Sequence, residues 1–547
     1  MSISRMKKQR YRDRPATPEV LYERANRFKL QGRIQDAVSH YDAALRLRPD
    51  FPEALCSSAI LLQESGFYDA ALRFYAQALH VRPDFPEALF NRGNVLQNLN
   101  RYEEALQSYD LAIASRPDQA AFYINRGAAF YELGRLDEAI ASYQMALRFD
   151  GSQPECALNL GNALMKAGLL EPALDAYNQA LKLRPAYGRA LCGKAIVLKE
   201  LGRFTEAMDY FDQALKLEPE SNEVISNRGC LYLLHGDFEK GWEGYERRWV
   251  LGDRSAAQLR FALPVWKGEN PENSHILVIN DHALGDIIQF SRFLSEIIRA
   301  GATVTFLCPL KMHRLLASVH PHLLLTDTVE DQQHFDYQIM LGSLPHALKI
   351  RQETIPAPKA YMQAEPDLVT FWRNKIGTQG FKIGINWQGN ADIKVDPQRS
   401  FRLDMLAPLA QISGVRLISL QKGAGTEQLT ALANTVQVET LENFDNGPNA
   451  FVDTAAIIKN MDLVITCDTS VAHLAGALGS RVWVALKHVP EWRWQMHRSD
   501  SPWYRSMELF RQADRNDWAS VFKAMALRLR AETQPAGAEP LFENLLF

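Results

Sequence analysis

Apolar positions in the first half of the chain recur every 34 residues. A small residue stands at Ala25, Ala59, Gly93, Gly127, Gly161, Ala195 and Gly229. Three positions after each comes a bulky apolar residue, from Phe28 and Leu62 to Leu198 and Tyr232. A second small column runs Ala37, Ala71, Ala105, Ala139, Ala173, Ala207 and Gly241. An aromatic ring follows it four positions later, at Tyr41, Tyr75, Tyr109, Tyr143, Tyr177, Phe211 and Tyr245. Spacings of three and four predict two helices per period. They turn at Gly32, Gly66, Gly134, Gly168, Gly202 and Gly236, with Asn100 in the remaining unit. Pro49, Pro83, Pro117, Pro185 and Pro219 close the second helix. Small residues let paired helices approach, and large ones fill the groove between them.

One such pair cannot bury its own apolar face, so neighbours must stack into a solenoid. The pattern closely resembles the tetratricopeptide repeat, in seven units over residues 18–254. Solenoids of this kind offer a concave binding surface. Asn91, Asn125, Asn159 and Asn227 share one repeat position, two before the small residue. Asparagine is a mediocre helix former, so a column of it inside helices wants a reason. An amide both donates and accepts and so matches a peptide backbone, which makes the column a candidate acceptor-peptide ladder. It resembles the asparagine ladder of O-linked N-acetylglucosamine transferases, although Glu23, Ser57 and Gly193 interrupt it. The alternative is that these amides merely face solvent.

Beyond the repeats the period vanishes. Residues 255–273 are expected to form a linker. Short apolar runs then alternate with helix-like segments, at 275–280, 303–308, 336–340, 382–387, 415–420 and 463–467. Continuous Val/Ile/Leu strands with intervening helices predict parallel sheets covered on both faces. A helix-like stretch near 368–376 divides the region into lobes at 274–367 and 368–530. The expected fold is therefore multidomain: an all-α solenoid followed by an α/β pair of Rossmann-like lobes facing a cleft.

With 47% hydrophobic and 23% charged residues in 547, the chain is neither fibrous nor extensively disordered. A net charge of −3 carries no nucleic-acid signature. The basic cluster at Arg5, Lys7, Lys8, Arg10, Arg12 and Arg14 reads as part of a solvated tail over residues 1–17. No apolar run approaches the roughly 20 residues that span a bilayer, and the N-terminus lacks a secretory apolar core. Six scattered cysteines without a C-x-x-C pair fit a reducing compartment, so a cytoplasmic location is expected. Residues 531–547 read as a linker-like, then apolar, tail.

Several motifs carry a family resemblance over residues 240–530. They are G-W-E-G-Y-E-R-R-W at 241–249, L-G-D-I-I-Q-F-S-R-F at 284–293 and S-L-Q-K-G at 419–423. The more specific ones are C-D-T-S-V-A-H-L-A-G-A-L-G at 467–479, W-R-W at 492–494 and S-P-W-Y at 501–504. Together they resemble the heptosyltransferase-like family, glycosyltransferase family 9, in its repeat-bearing bacterial form. The resemblance implies a GT-B fold and inverting, metal-independent transfer from a nucleotide sugar, with no other cofactor. It leaves the donor open among ADP-heptose, UDP-N-acetylglucosamine and a CMP-nonulosonic acid.

The 467–479 segment reads as a strand whose end runs into a helix opened by Asp468, Thr469 and Ser470, all N-capping types. A helix start at the carboxyl end of a parallel strand suits a diphosphate. In the resembled family this segment holds the donor. Asp468 would face sugar or ribose hydroxyls, Thr469, Ser470 and Val471 would offer backbone N–H groups, and His473 lies one turn on. Plain helix capping with a core histidine is the alternative. The resemblance gives Asp286, in L-G-D, the role of general base for the acceptor hydroxyl. The other reading makes it the N-cap of a helix at 287–300. His282 is a rival base, because this chain reads D-H-A-L-G-D where repeat-bearing relatives tend to read E-Q-G-L-G-D. Cations must offset charge on the leaving nucleotide, and Arg399, Arg402 and Lys422, with Lys394 as a weaker one, are candidates if they are not solvated surface charges. Trp387, Gly389 and Asn390 end a strand and are expected to line the cleft. Trp492, Arg493 and Trp494 either stack on the ligand or pack the core.

The expected activity is glycosyl transfer to a hydroxyl of a protein recruited by the repeats. Relatives of the resembled form modify flagellins, so flagellin or another surface protein is the expected acceptor. A saccharide acceptor such as lipopolysaccharide, or a non-catalytic scaffold with a degenerate nucleotide-sugar domain, are the alternatives.

Overall fold

A computed structural model describes residues 17–250, 261–330, 334–389 and 397–533. The basic cluster, the C-terminal tail from 534, Asn390 and Lys394 lie outside the described residues. The 34-residue period becomes helical hairpins, beginning with Pro18–Leu30 and Ile34–Leu47. Pro18, Pro52, Pro86 and Pro154 start first helices, where a missing N–H costs nothing. The second helices closed by a proline stop two residues before it. Arg48 and Arg82, each preceding a proline, have left the helix for extended backbone. Asn100 takes the left-handed turn conformation (φ 58°) that glycine supplies in the other hairpins.

The small column is explained by the aromatic ring that covers it. A Cβ on Gly93, Gly127 or Gly161 would lie 2.5–2.8 Å from the ring of Tyr109, Tyr143 or Tyr177. These rings are buried. Two of their hydroxyls are satisfied by an amide just after the small residue: Tyr109 donates to Asn94 (2.9 Å) and Tyr177 to Asn162 (2.7 Å).

The chain divides into two compact units between Pro219 and Glu220. The first holds six hairpins. The seventh, Asn222–Leu234 with Phe238–Tyr245, is built into the second unit. Aromatic side chains fix it there. Trp242, 2% exposed, donates its indole N–H to the Ile350 carbonyl (2.9 Å) and meets Trp492 edge-on, with ring centroids 5.3 Å apart. Phe238 packs on Trp503, and the backbone N–H of Met496 donates to the Leu234 carbonyl. Within the hairpin, Gly229 and Gly244 touch backbone to backbone, so a Cβ on Gly229 would lie 2.7 Å from the Gly244 Cα.

The remainder of the second unit is α/β with two all-parallel sheets. The first contains β1 (His275–Ile279), β2 (Thr303–Leu307), β3 (Leu324–Thr326) and β4 (Tyr337–Met340), in the order β3-β2-β1-β4. The second contains β5 (Phe381–Asn386), β6 (Val415–Ser419), β7 (Leu463–Cys467), β8 (Val482–Leu486) and β9 (Met507–Arg511), in the order β6-β5-β7-β8-β9. β3, β8 and β9 are additional to the strands expected. Ile383, Ile385, Leu463 and Ile465 of the second sheet pack against Phe522, Met525 and Leu529 of the helix Trp518–Thr533. The described part of the expected linker is not free: Val265 bridges to Gln338, and Trp266, 2% exposed, donates its backbone N–H to the Gln338 carbonyl. Pairing with β4 and burial of an indole outweigh the loop-like composition.

Gly229→Val is expected to destabilise the second unit by about 1–3 kcal/mol, because the added methyls meet backbone that cannot rotate away. A thermal or denaturant melt of the variant against the parent checks it.

Candidate functional site

Polar side chains of the second unit gather at the carboxyl ends of its sheets. In the second sheet β5 has β6 on one side and β7 on the other, so its connections diverge and open a crevice between β5 and β7. β7 ends at Cys467, and the helix Ser470–Ala477 follows with Thr469 at the N-cap. Thr469 does not cap with its side chain; its hydroxyl donates to Asn386 Oδ1 (2.7 Å) at the end of β5. Asn386 donates to Gln421 Oε1 (2.7 Å), and the Gln421 amide donates to the carbonyls of Gln388 and Ala424. This satisfied network is the floor of a cavity of about 550 Å³, lined by Gly389, Lys422, Thr469, Ser470 and Val471 and, from the first lobe, Lys311. The first N–H groups of the helix have no intrahelical acceptor, so the cavity receives the positive end of the helix.

The first sheet has its own divergence between β1 and β4. Asp281 sits there, accepting from the Gly342 N–H (3.0 Å) and from Arg248 Nη2 (2.7 Å). His282 lies between two carboxylates, with Nε2 3.6 Å from Asp281 and Nδ1 3.7 Å from Asp286. The Tyr245 ring stacks on it, and the hydroxyl is 3.4 Å from Nε2. Asp286 stands inside the helix Leu284–Phe290, whose N-cap is Ala283, so it is not the cap of a helix starting at 287. Its Oδ1 accepts from Arg493 Nη2 (2.6 Å), and the same guanidinium pairs with Glu491 and donates from Nε to Gln289 Oε1 (2.5 Å). The lobes meet where Gly285 abuts the other helix start: a Cβ there would lie 3.1 Å from Ser470 Oγ and 3.3 Å from the His473 ring.

The charges follow from this packing. Burial alone would raise the Asp286 carboxyl, but the Arg493 guanidinium beside it outweighs burial, leaving it below the ordinary range. Burial lowers His282 despite Asp281 and Asp286, so its imidazole is neutral at pH 7. Burial raises Asp468; the Trp494 indole N–H and the Arg399 and Arg493 cations oppose the rise. Burial pushes Glu491 up to about 7 against the pull of Arg493.

Gly389, Lys422, Thr469, Ser470 and Val471 thus line one cavity, and Asp286 and His282 stand together across the lobe contact. Arg399 lies against Gly389, where a Cβ would come within 2.8 Å of its Nη2. Three expectations are corrected. His473 does not reach the cavity: it is 5% exposed, shares a hydrogen bond with the Tyr504 hydroxyl (3.0 Å), stacks on Trp494 and is driven to about 3 by burial, so it is no cation. Trp387 is fully buried in the core beneath the cavity, its indole donating to the Gly425 carbonyl. Arg402 is exposed and paired with its neighbour Asp404 (3.0 Å), away from the cavity lining. Trp492 and Trp494 pack in the interior, so of W-R-W only Arg493 engages the charged cluster.

The asparagine column is part-exposed and divided between the units. Asn91, Asn125 and Asn159 lie in the first and Asn227 in the second. Asn125 donates to Asn94 of the preceding hairpin (2.7 Å), and Asn227 to the Glu223 carbonyl of its own helix (2.9 Å). Asn386, Gln421 and Lys311 were not singled out from sequence. The first two follow the rule that strand ends carry the site, while a lysine in a surface turn gives no signal. Among the described residues no group of His, Cys, Asp and Glu could hold a metal ion, and no helix is long and apolar enough to cross a membrane.

Residues 56–120, 93–154 and 158–222 match the tetratricopeptide repeat family. Protein FlbA of Caulobacter vibrioides is 25% identical over 328 residues, covering 55% of this chain and 54% of that protein, so the chain spans about half the length of this curated relative. Among solved structures, YrrB, described as a TPR protein with an unusual peptide-binding site, is 19% identical over 34% of this chain and 97% of its own (TM-score 0.32). A tetratricopeptide repeat protein from Parabacteroides merdae is 19% identical over 43% of this chain and 93% of its own (TM-score 0.36). The first half is a tetratricopeptide-repeat solenoid, a protein-binding architecture, and the parallel sheets that follow are consistent with an α/β domain.

Arg493→Met leaves two carboxylates without their shared partner and is expected to destabilise the second unit by about 3–5 kcal/mol, read from the denaturant midpoint. Glu491 sets a pH dependence. Its folded value of about 7 lies above the ordinary 4.5, so between these limits the folded chain keeps a proton the unfolded chain has released. The contribution of Glu491 to stability therefore falls as pH rises through that window and is level above it. Glu491→Gln should flatten this slope, measured as melting temperature against pH.

Proposed function

We infer that the chain is a glycosyltransferase of the GT-B type that moves a sugar from a nucleotide donor to a hydroxyl of a protein held by its repeats. The observation that carries this reading is the meeting of two loops. The Thr469–Val471 helix start opens into a cavity at the divergence of the second sheet, while Gly285, the chain neighbour of Asp286, abuts Ser470 from the first. A diphosphate seated on the helix start would place its sugar toward Asp286 and His282. The motif resemblance over residues 240–530 points to the same donor class.

The residues divide the work as follows. The acceptor oxygen attacks the anomeric carbon, the bond from that carbon to the diphosphate breaks, and the nucleoside diphosphate leaves. The hydroxyl proton passes to His282, which is neutral and therefore able to accept it. Asp286, kept ionised by Arg493, stabilises the imidazolium that results. The tetratricopeptide repeats raise the local concentration of the protein acceptor without touching the chemistry. A lipopolysaccharide acceptor would make no use of a solenoid.

A thermal-shift screen of nucleoside mono- and diphosphates, followed by intact-mass analysis of co-expressed candidate acceptors including flagellin, tests the activity. His282→Gln is expected to keep nucleotide binding and to lose roughly 10²–10⁴-fold in transfer rate. Asp286→Asn should slow transfer and move the acidic limb of the rate profile to lower pH, because the imidazolium loses its counter-charge. Normal transfer by both variants would sink the assignment.

A further inference from the structure

We propose that Lys311 of the first lobe is the diphosphate-contacting cation of the cavity in the second, so that nucleotide binding ties the lobes together. The inference rests on the donor reading above but concerns a residue that reading does not use. Apart from Lys311, the cavity lining runs from Asn386 to Val471 and belongs to the second lobe. It contains one other ammonium, Lys422, whose three N–H groups are already spent. They donate to the Phe444 carbonyl (2.5 Å), the Asp445 carbonyl (2.7 Å) and Asn446 Oδ1 (3.1 Å). Lys422 therefore holds the cavity wall and cannot reach a phosphate without releasing it. The carboxylate in the lining, Asp445, is equally committed: it accepts from the backbone N–H groups of Asp453 (2.7 Å) and Thr454 (3.2 Å) and from the Thr454 hydroxyl.

Lys311 is different. It sits in the short turn Leu310–Met312 just after β2, anchored by fully buried Met312. Its carbonyl accepts from the Ala450 N–H (2.8 Å), a backbone hydrogen bond that joins the lobes at the cavity wall. Its side chain is exposed, and its ammonium makes no ion pair or hydrogen bond among the described residues. A diphosphate on the Ser470 helix start needs a counter-charge, and Lys311 is the lining ammonium free to provide it. The contact exists only while the turn and the Ala450 wall are together, so a bound diphosphate favours the closed arrangement.

Isothermal titration of the full chain with ADP, UDP, GDP and CDP, each beside its monophosphate and nucleoside, tests this. For the diphosphate bound best by the parent chain, Lys311→Met should weaken affinity about 10-fold or more. Lys311→Arg should restore most of it, and nucleoside affinity should not change. The melting temperature of the free variant should match the parent, because the ammonium has no partner to lose. Equal diphosphate affinity in parent and Lys311→Met overturns the Lys311 contact and leaves the donor reading standing. Equal affinity of the parent for the monophosphate and the diphosphate also overturns it. No binding of any nucleotide by the parent chain overturns the donor reading itself.

Discussion

The ion pair between Arg493 and Asp286 is the interaction on which the second unit depends. It is mostly withdrawn from water, it joins residues 207 apart in the chain, and its guanidinium also serves Glu491 and Gln289. Taking these charges out of water costs several kcal/mol each unless geometry and hydrogen bonds compensate. The compensation here is close to complete: Asp286 holds the guanidinium at 2.6 Å, and a second carboxylate and an amide oxygen occupy other donors. A cluster of this kind tolerates little displacement. It therefore fixes the distance between the two helix starts that face each other at Gly285 and Ser470.

A row of charges extends from this pair toward the seventh hairpin. Arg248 holds Asp281, Asp281 and Asp286 flank His282, and Arg493 holds Asp286. Each carboxylate has an arginine, which leaves the imidazole between them uncharged even though two acids face it. The same arrangement explains why burial dominates at His282. The neighbouring negative charge is already neutralised by Arg248 and Arg493, so little of it remains to favour the imidazolium.

Much of the helical half could be read from the chain. The columns at Gly93, Gly127 and Gly161 announce their own cause, since a ring four places after the paired small position has to lie somewhere, and it lies on them. The strand starts at His275, Thr303 and Leu463 were legible as apolar runs. β8 carries the same signal, five buried residues in a row, whereas β3 is three residues long with one face in water and shows no period. The site was legible as motifs but not as a partnership. That Asp286 would be tied to Arg493, or that His473 would turn inward to Tyr504, depends on how two sheets close on each other. Trp387 and Arg402 mislead for a simple reason: the end of a strand directs alternate side chains to opposite faces, and position along the chain alone does not say which face meets the cavity.

The seventh hairpin looks like its six predecessors in sequence, yet Trp242, Phe238 and Tyr245 spend their rings on Trp492, Trp503 and His282. Its apolar face is thus committed to the α/β fold. The modular seam of this protein consequently runs ahead of the last repeat, near Pro219, and not where the periodicity ends. A lineage that exchanged, lengthened or shortened its recognition array could do so freely upstream of that seam. Any splice within the last hairpin would tear indoles out of the folded body it leaves behind.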